Sequence, residues 1–507
     1  MKTFIRRKRS ELSVLIAGLF LMVAGTVTAQ TLTTLYNFTA TVSNTNNDGA
    51  EPHAGLILSG NTLYGTAQSG GISGSGTVFA VSTNGTGFTN LYSFTATSGH
   101  YSTNSDGAKS QAQLILLSNN LYGAAYQGGT NGNGTVFAVS TNGTDFKTLH
   151  SFSATNANGG GVFTNSDGAH PHDVLISSGI LYGTAIFGGT NGNGTVFAVS
   201  TNGTGFTNLH TFTASSGSFP MVTNNDGAFP VGELIISGKT LYGTAYSGGT
   251  NGNGTVFAIS TNGTGFTNLH SFTALVSNTN SDGANPYAGL TLSGNTLYGT
   301  ASQGGTNGNG TVFAVSTNGT DFRTLHSFSA TNANGGGVFT NSDGAHPQAE
   351  LILLGNTLYG AAKDGGISGS GTVFAVSTNG TGFTSLYSFT VLVSNTNGDG
   401  AEPNGLISSG NTLYGTAKNG GRSGNGTVFS LSFLPQLTIF PSGTNVILSW
   451  PTNVAGFSYT GYTLQSATNL DSPEVWTTNS PAPVVVNGQN NVTNPISGTQ
   501  MFFRLSQ

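Results

Sequence analysis

The most regular ionisable residues in this sequence are seven aspartates, each followed by Gly-Ala. A ring of such carboxylates at one mouth of a channel would attract Ca²⁺ or a cationic ligand, because both prefer negatively charged oxygen. Alternatively, each Asp forms an Asx turn that caps local amides before a glycine at positive φ. One ligand oxygen per copy is few for a calcium site. The seven candidate ligand-binding residues are Asp48, Asp106, Asp167, Asp226, Asp282, Asp343 and Asp399.

Histidines supply a second candidate group. His170, His172 and Asp173 form one local cluster with metal-ligand content, and His-x-His spacing on a strand places both rings on one face. The equivalent segment His346-Pro347-Gln348 lacks the pair. Four other histidines stand where further copies have Tyr, which favours a structural ring with a polar tip over a metal ligand. They are His150, His210, His270 and His326.

Four glutamates are scattered through the repeats, and two of them could meet across a channel as the acid pair of a glycosidase. No nucleophile elbow or Ser-His-Asp arrangement accompanies them. The segments Ser151–Pro171 and Ser327–Pro347 are identical. Near-duplicate repeats present like groups, whereas an active site needs unlike groups at one point. The pattern therefore favours a protein that is not an enzyme. The glutamates are Glu51, Glu233, Glu350 and Glu402.

These residues recur because the chain repeats itself. Leu-Tyr-Gly occurs seven times, first at Leu63, and Thr-Val-Phe follows each time after 14 residues. The β-branched and aromatic content predicts four strands per repeat, separated by tight glycine-rich turns. Because both faces of the Thr-Val-Phe strand are apolar, the sheets are expected to stack as blades. In the first copy the strands are predicted at 54–58, 62–67, 77–81 and 91–95.

The residue pattern of the fourth strand is displaced along the chain relative to the patterns of the other three strands. It already occurs at Leu35, and the last repeat ends without it after Leu431. Pairing the N-terminal strand with the last repeat would close a ring and remove a sheet edge. The sequence thus predicts an all-β chain, with a seven-bladed β-propeller over residues 30–434. Residues 435–507 contain both tryptophans and predict a small β-sandwich that is loosely fibronectin-III-like.

Composition and the N-terminus narrow the class of protein. Only 6 % of the 507 residues are charged and none is Cys, which excludes a disulfide scaffold, a cysteine metal site and a nucleic-acid binder. Residues 1–29 combine a basic start, an apolar stretch and Val-Thr-Ala, which predicts a signal peptide cleaved after Ala29; the alternative is an uncleaved membrane anchor. The remainder has 8 Lys and Arg against 17 Asp and Glu. It is expected to be a monomer without a membrane span.

The repeated motif resembles a known family. Leu-Tyr-Gly-Thr, a Gly-Gly loop and Gly-x-Gly-Thr-Val-Phe, best seen in 63–79, 181–197 and 413–429, are similar to the Gloeo/Verruco (GloVer) tandem repeat of exported bacterial proteins. Ala124 and Ala361 depart from it. The resemblance covers residues 35–433, and the tail is similar to modules that close other secreted proteins of Verrucomicrobia-like bacteria. It implies a secreted or surface-associated protein and no known activity.

The expected function is an exported, non-catalytic binding or structural module. Many Asn, Thr, Ser and Tyr side chains and a low charge suit an extracellular polysaccharide or a protein as ligand. The alternative is a carbohydrate-active hydrolase or lyase with acids in the central funnel. No cofactor is expected, apart from Ca²⁺ if the seven aspartates form a ring.

Overall fold

The structure is a computed structural model that describes residues 29–99, 102–157, 162–218, 221–333, 338–469, 475–478, 481–496 and 501–506. In these ranges the chain forms antiparallel sheets, and no helix of the length and hydropathy needed to cross a membrane is found there. The predicted signal peptide, except Ala29, lies outside the described residues. The chain divides into two compact units, one of which is Leu32–Leu431 and the other of which contains Ser432–Gln507.

Seven sheets, one per repeat, build the large unit, and we number them in chain order. After β1 (Ala29–Asn37), the first sheet contains β2 (Ile57–Ser59), β3 (Thr62–Ala67), β4 (Thr77–Ser82) and β5 (Thr89–Ser93). The second contains β6 (Ile115–Leu117), β7 (Asn120–Ala125), β8 (Thr135–Ser140) and β9 (Lys147–Ser151). After a hairpin of β10 (Asn156–Ala157) and β11 (Phe163–Thr164), the third contains β12 (Ala169–Ser177), β13 (Ile180–Phe187), β14 (Thr195–Ser200) and β15 (Thr207–Thr211).

The remaining sheets repeat this order. After a hairpin of β16 (Ser216–Ser218) and β17 (Met221–Thr223), the fourth contains β18 (Ala228–Pro230), β19 (Ile235–Ser237), β20 (Thr240–Ser247), β21 (Thr255–Ser260) and β22 (Thr267–Ser271). The fifth contains β23 (Thr291–Ser293), β24 (Thr296–Ala301), β25 (Thr311–Ser316) and β26 (Arg323–Ser327). After a hairpin of β27 (Asn332–Ala333) and β28 (Phe339–Thr340), the sixth contains β29 (Ala345–Pro347), β30 (Ile352–Leu354), β31 (Thr357–Asp364), β32 (Thr372–Ser377) and β33 (Thr384–Ser388). The seventh contains β34 (Ala401–Ser409), β35 (Thr412–Asn419) and β36 (Thr427–Leu434).

The two inner strands of each sheet form the predicted hairpin. In the first sheet Ala67 pairs with Thr77, and the register continues without a break to Thr62 opposite Ser82. The Thr-Val-Phe strand is buried on both faces, since Val78 and Phe79 are both fully buried. Clusters of apolar side chains fill the space between neighbouring sheets, for example Val78 and Phe94 against Phe137. Burial on both faces therefore follows from packing each sheet between two others.

The first strand of each sheet differs from the prediction. In the first sheet it covers 57–59, where 54–58 was predicted, and Ala54 and Gly55 line a cavity described below. In the third and seventh sheets the strand is long and continuous, with an irregularity after Pro171 and Pro403. These repeats have one residue fewer between the Asp-Gly-Ala aspartate and the next core residue. The shorter connection explains the continuous strand.

The N-terminal strand completes the seventh sheet, as predicted. The strand order of that sheet is β1-β36-β35-β34. The core between the seventh and first sheets contains Phe38 and Val428 beside Phe79. At the same junction the backbones of Gly55 and Gly405 approach closely. A methyl group added to Gly405 would lie 3.0 Å from Cα of Gly55, which is a tight contact that glycine avoids.

Equivalent hydrogen bonds connect each repeat to the one before it. The amide after each Asp-Gly-Ala donates to a carbonyl of the preceding repeat over 2.8–3.0 Å, as for Lys109 to Ser75. In the first repeat the donor is Glu51 and the acceptor is Asn425 of the seventh, at 2.9 Å. Thr416 Oγ1 likewise donates to the carbonyl of Ala54 at 2.8 Å. These contacts connect the seven repeats in a cycle.

The second unit contains two further sheets. Its buried side chains include Leu448, Trp450, Leu464 and Val492. The strand orders are β37-β38-β44-β43 and β42-β41-β45, with β39 and β40 as a hairpin. The strands are β37 (Thr438–Ser442), β38 (Asn445–Pro451), β39 (Asn453–Val454), β40 (Phe457–Ser458), β41 (Thr463–Ala467), β42 (Thr477–Thr478), β43 (Val484–Val486), β44 (Gln489–Pro495) and β45 (Phe502–Ser506).

Candidate functional site

The seven aspartates are buried and accept hydrogen bonds from the preceding fourth strand. Asp48 accepts from the Tyr36 hydroxyl at 2.8 Å and from the Thr39 amide at 2.8 Å. Its own carbonyl accepts from Thr77 Oγ1 in the next sheet at 3.1 Å. Each aspartate therefore joins two neighbouring sheets. Ligand binding by the seven stays a prediction, and none of them lines the cavity described below.

Tyrosine and histidine serve the same purpose in these contacts, as their interchange predicted. Nε2 of His270 lies 3.0 Å from the Asp282 carboxylate. In the first repeat the Tyr36 hydroxyl makes the equivalent contact with Asp48. The ring of His270 stacks on Phe322 with centroids 3.7 Å apart. Burial raises the pKa of Asp282, but the hydrogen bonds from His270 and Thr273 outweigh it, so the pKa lies below its ordinary value. The contact thus stabilises the charged carboxylate.

The amides of the Asp-Gly-Ala turn are capped by an asparagine two residues before each aspartate. The Asx-turn interpretation assigns this role to the aspartate itself. Asn46 Oδ1 accepts from the amides of Gly49 and Gly71, both at 2.9 Å. Its Nδ2 donates to the carbonyls of Thr39 and Gly49. The side chain of Asn46 therefore closes the turn, which leaves the aspartate carboxylate available to reach the fourth strand. Equivalent residues are Asn104, Asn165, Asn224, Asn280, Asn341 and Asn397.

The three residues of the candidate metal cluster do not share one site, because His170 lies outside the cavity that His172 and Asp173 line. His170 has a left-handed φ of 58°, its Nδ1 lies 2.8 Å from the carbonyl of Tyr126, and its ring stacks on that residue. His172 and Asp173 line the cavity, with His172 Nδ1 2.7 Å from Asp173 Oδ2. The backbone irregularity after Pro171 interrupts the strand alternation on which the prediction relied. Among the described residues, no group of three or more His, Asp and Glu is arranged to hold a metal ion.

A cavity of about 60 Å³ is lined by residues of all seven repeats. They come from the segment between each Asp-Gly-Ala and the next core residue. Most of these side chains are polar, and they are unlike one another. The polar members, in chain order, are His53, Gln111, Gln113, His172, Asp173, Glu233, Tyr287, Gln348, Glu350 and Asn404.

Three carboxyl groups meet in this cavity. Burial raises the pKa of Glu233 well above its ordinary value, and the negative charges of Glu350 and Asp173 add to the effect. Burial and Asp173 raise the pKa of Glu350 to about 8. Burial lowers the pKa of His53 to about 3, and electrostatic interactions with Lys418, His172 and Lys363 are further causes. At neutral pH the cavity therefore holds a neutral His53, and Glu233 and Glu350 retain protons more readily than ordinary glutamates.

The convergence of unlike groups corrects the argument from near-duplicate repeats. The identity between the third and sixth repeats stops at Pro171 and Pro347. The next residues are His172-Asp173 in one copy and Gln348-Ala349-Glu350 in the other, and all five line the cavity. The repeats are alike where they build the sheets and differ where they face the cavity. The expectation that two glutamates could meet across a channel agrees with the positions of Glu233 and Glu350, whereas Glu51 and Glu402 do not line it.

Half-buried aromatic side chains lie beside the cavity on the second to fifth repeats. We call Tyr126, Phe187, Tyr246 and Tyr287 the aromatic cluster; they pack around Phe229 and its apolar neighbours. Tyr287 belongs to both the cluster and the cavity, and its ring lies 5.9 Å from that of His172. Lysines occupy the position of Tyr126 and Tyr246 in the last two repeats, as Lys363 and Lys418. The surroundings of the cavity are therefore asymmetric.

Most of the residues that line the cavity are not among those predicted from the sequence. His172, Asp173, Glu233 and Glu350 are predicted candidates, whereas the amides, His53 and Tyr287 are not. A signal was present, because the residue immediately before each first-strand core position is Gly in three repeats, Glu in two, and Gln or Asp in the other two. Those residues are Gly55, Gln113, Asp173, Glu233, Gly289, Glu350 and Gly405.

Comparison with known proteins adds a family and distant likenesses. The model of the Gloeobacter/Verrucomicrobia repeat matches residues 22–161 and 160–338. No curated protein matches the chain. Similar solved structures include a puromycin-hydrolysing peptidase of Mycobacterium tuberculosis (11 % identity, 80 % of this chain and 61 % of that chain, TM-score 0.45). Another is an oligogalacturonate lyase in complex with manganese (11 % identity, 80 % of this chain and 98 % of that chain, TM-score 0.42). A third is a chain of the nidogen/laminin complex (11 % identity, 65 % of this chain and 92 % of that chain, TM-score 0.36). At these scores the likenesses carry no statement about activity.

Proposed function

The chain belongs to the Gloeobacter/Verrucomicrobia repeat family, and on that premise we propose that it is an exported seven-bladed β-propeller that binds an extracellular polysaccharide. The binding site in this proposal is the cavity to which all seven repeats contribute. The observation that carries it is that near-identical repeats diverge at the residues that line this one cavity. Export through the N-terminal signal peptide, with a secreted or cell-surface location, is part of the same proposal.

The propeller interpretation is supported by the cycle of contacts. Seven sheets follow one another, β1 pairs with β36, and Glu51 donates to Asn425 exactly where the other repeats make the equivalent bond. A cyclic array of sheets places equivalent inner segments around one axis, which accounts for a cavity shared by seven repeats. For Ser432–Gln507 we propose a small fibronectin-III-like sandwich, from its two sheets and the fully buried Trp450.

The ligand class follows from the chemistry of the cavity and its surroundings. Amide side chains such as Gln113, Gln348 and Asn404 supply both donors and acceptors for hydroxyl groups. The aromatic cluster offers flat apolar faces next to them, and ligand sites combine such faces with a few polar groups. A polysaccharide presents both hydroxyl groups and apolar ring faces. A protein ligand is the other class that the polar surface would suit.

The test is binding of residues 30–507 to an array of neutral, amine-bearing and acidic polysaccharides. We expect binding to at least one neutral or amine-bearing chain, and an at least tenfold loss of affinity for Gln113→Ala and Tyr287→Ala. Gln303→Ala is the matched control, because Gln303 is exposed and does not line the cavity. Absence of binding to every polysaccharide, with the variants folded, would contradict the proposal.

A second candidate is a carbohydrate-active hydrolase or lyase, and the meeting of Glu233, Glu350 and Asp173 favours it. A carboxyl group that keeps its proton near neutral pH can act as a general acid beside an ionised partner. The same polysaccharides are incubated with the protein, and new reducing ends or unsaturated products are measured. Turnover that is lost in Glu350→Gln and kept in Asp321→Asn would establish the enzyme and replace the non-catalytic proposal.

A further inference from the structure

Two carboxyl groups in the cavity lack a partner. Within the described residues, the Glu233 and Glu350 side chains make no hydrogen bond and no ion pair, although both are only partly exposed. Glu350 acts on Glu233 as a like charge, and Asp173 acts on both. Carboxylates that have lost part of their contact with water are unfavourable without a partner. Their arrangement therefore favours a ligand that supplies positive charge and hydrogen-bond donors.

His172 adds an independent acceptor to the same cavity. It is 7 % exposed, and its Nε2 has no hydrogen-bond partner among the described residues. Its Nδ1 lies 2.7 Å from the Asp173 carboxylate and must carry a proton to donate there. In the neutral ring Nε2 then has a lone pair and accepts a hydrogen bond. A buried acceptor without a donor is unfavourable unless a ligand or water satisfies it.

We propose that the cavity binds a primary ammonium group of the ligand, as carried by a deacetylated amino-sugar polymer, with Glu233, Glu350 and His172 as acceptors. This inference rests on the proposed polysaccharide function and specifies the substrate class. An ammonium group is compact and has three donors, which matches three acceptors without partners. The volume of about 60 Å³ accommodates such a group with a few waters.

Other charged groups near the cavity agree with a preference for cations. Lys363 and Lys418 lie in the sixth and seventh repeats, and their charges help to lower the pKa of His53. Lys363 is paired with Glu402 at 3.7 Å. Counting these groups with Asp173, Glu233 and Glu350, carboxyl groups outnumber ammonium groups. A uronate-bearing polysaccharide would place like charges next to the three acids and is disfavoured.

The test compares a glucosamine oligomer with the N-acetylated oligomer of equal length, by calorimetric titration of residues 30–507. We expect the free amine to bind at least tenfold more tightly, and Glu233→Gln or Glu350→Gln to remove most of that preference. Asp321→Asn is the matched control, since it removes the charge of an exposed acid outside the cavity. Circular dichroism and melting temperature verify that each variant is folded.

Each outcome has a distinct meaning. Equal binding of both oligomers overturns the ammonium inference and leaves the polysaccharide function standing. If neither oligomer binds but another polysaccharide on the array does, the ammonium inference is likewise overturned and the polysaccharide function stands. Binding of Ca²⁺ alone that disappears in both glutamine variants also overturns the inference, because it assigns the acids to a metal ion.

Discussion

Single residues in this protein have sharply different roles although they have the same chemistry. Asp282 is a carboxylate that protein donors satisfy, whereas Glu233 and Glu350 are carboxyl groups that lack such donors. The first kind lies between sheets and has a lowered pKa, and the second lies in the cavity and has a raised one. Surroundings, and not residue type, therefore separate structural acids from candidate ligand-binding acids.

At this scale we expect Asp282→Asn to destabilise the fold. Because its folded pKa is lowered, Asp282 contributes stability above its unfolded pKa, and that contribution is lost as pH falls through the folded pKa. Replacement should cost about 1–3 kcal/mol at pH 7 and less at pH 3, below the unfolded pKa, as measured by urea unfolding. Asp321→Asn in the same repeat is the control. A loss of equal size at both pH values would exclude the charged carboxylate as the cause.

Calcium offers a separate test of the seven aspartates. Their oxygens already accept hydrogen bonds from Tyr or His and from Thr or Ser, as in Asp399 with Tyr387 and Thr390. We therefore expect the melting temperature of residues 30–507 to be unchanged by millimolar Ca²⁺ or by a chelator. A calcium-dependent rise that Asp399→Asn reduces would instead assign a binding role to these residues.

At the scale of the strand, a glycine in each inner hairpin makes room for the core. A methyl group on Gly299 would lie 2.6 Å from Phe313 and 2.8 Å from Leu290. Both neighbours are buried between two sheets, so they cannot move aside freely. The Leu-Tyr-Gly motif is thus a packing requirement of the strand.

We expect Gly299→Ala to destabilise the protein by about 1–3 kcal/mol through overpacking. Gly398→Ala is the matched control, because nothing lies within 4 Å of its added methyl group and its φ is not positive. Thermal unfolding of the two variants beside the wild type measures the difference. Equal melting temperatures for both variants would contradict the packing argument.

At the scale of the whole large unit, the junction between the seventh and first sheets resembles the others. Phe38 packs on Phe79 with ring centroids 5.3 Å apart, and Phe272 packs on Phe313 at 5.4 Å in an inner junction. Both phenylalanines are fully buried. The strand that closes the cycle is therefore packed like any other fourth strand.

We expect Phe38→Ala and Phe272→Ala to lose similar amounts of stability, about 3–5 kcal/mol each. Phe339→Ala is the control, because Phe339 is exposed in the β27–β28 hairpin. Urea unfolding gives the three values under one condition. A cost for Phe38→Ala close to that of the control would mean that the junction is open in solution.

The sequence by itself determined the repeat, the all-β class, the inner hairpins and the partner of the N-terminal strand. Those features are local or periodic, so they can be predicted from strand alternation, from turn glycines and from the position of the fourth-strand pattern along the chain. It also indicated that Tyr and His are interchangeable as a structural ring with a polar tip.

Only the tertiary structure decided which acids lack hydrogen-bond partners and which have them. Glu233 and Glu350 are 117 positions apart in the printed sequence; their equivalent places in two repeats allow them to meet, but only the packed sheets bring both to one cavity. The partners of Asp48 come from a neighbouring sheet. Burial and the nearness of like charges arise when the sheets pack around their common cavity, because both depend on distances that the order of residues along the chain does not specify.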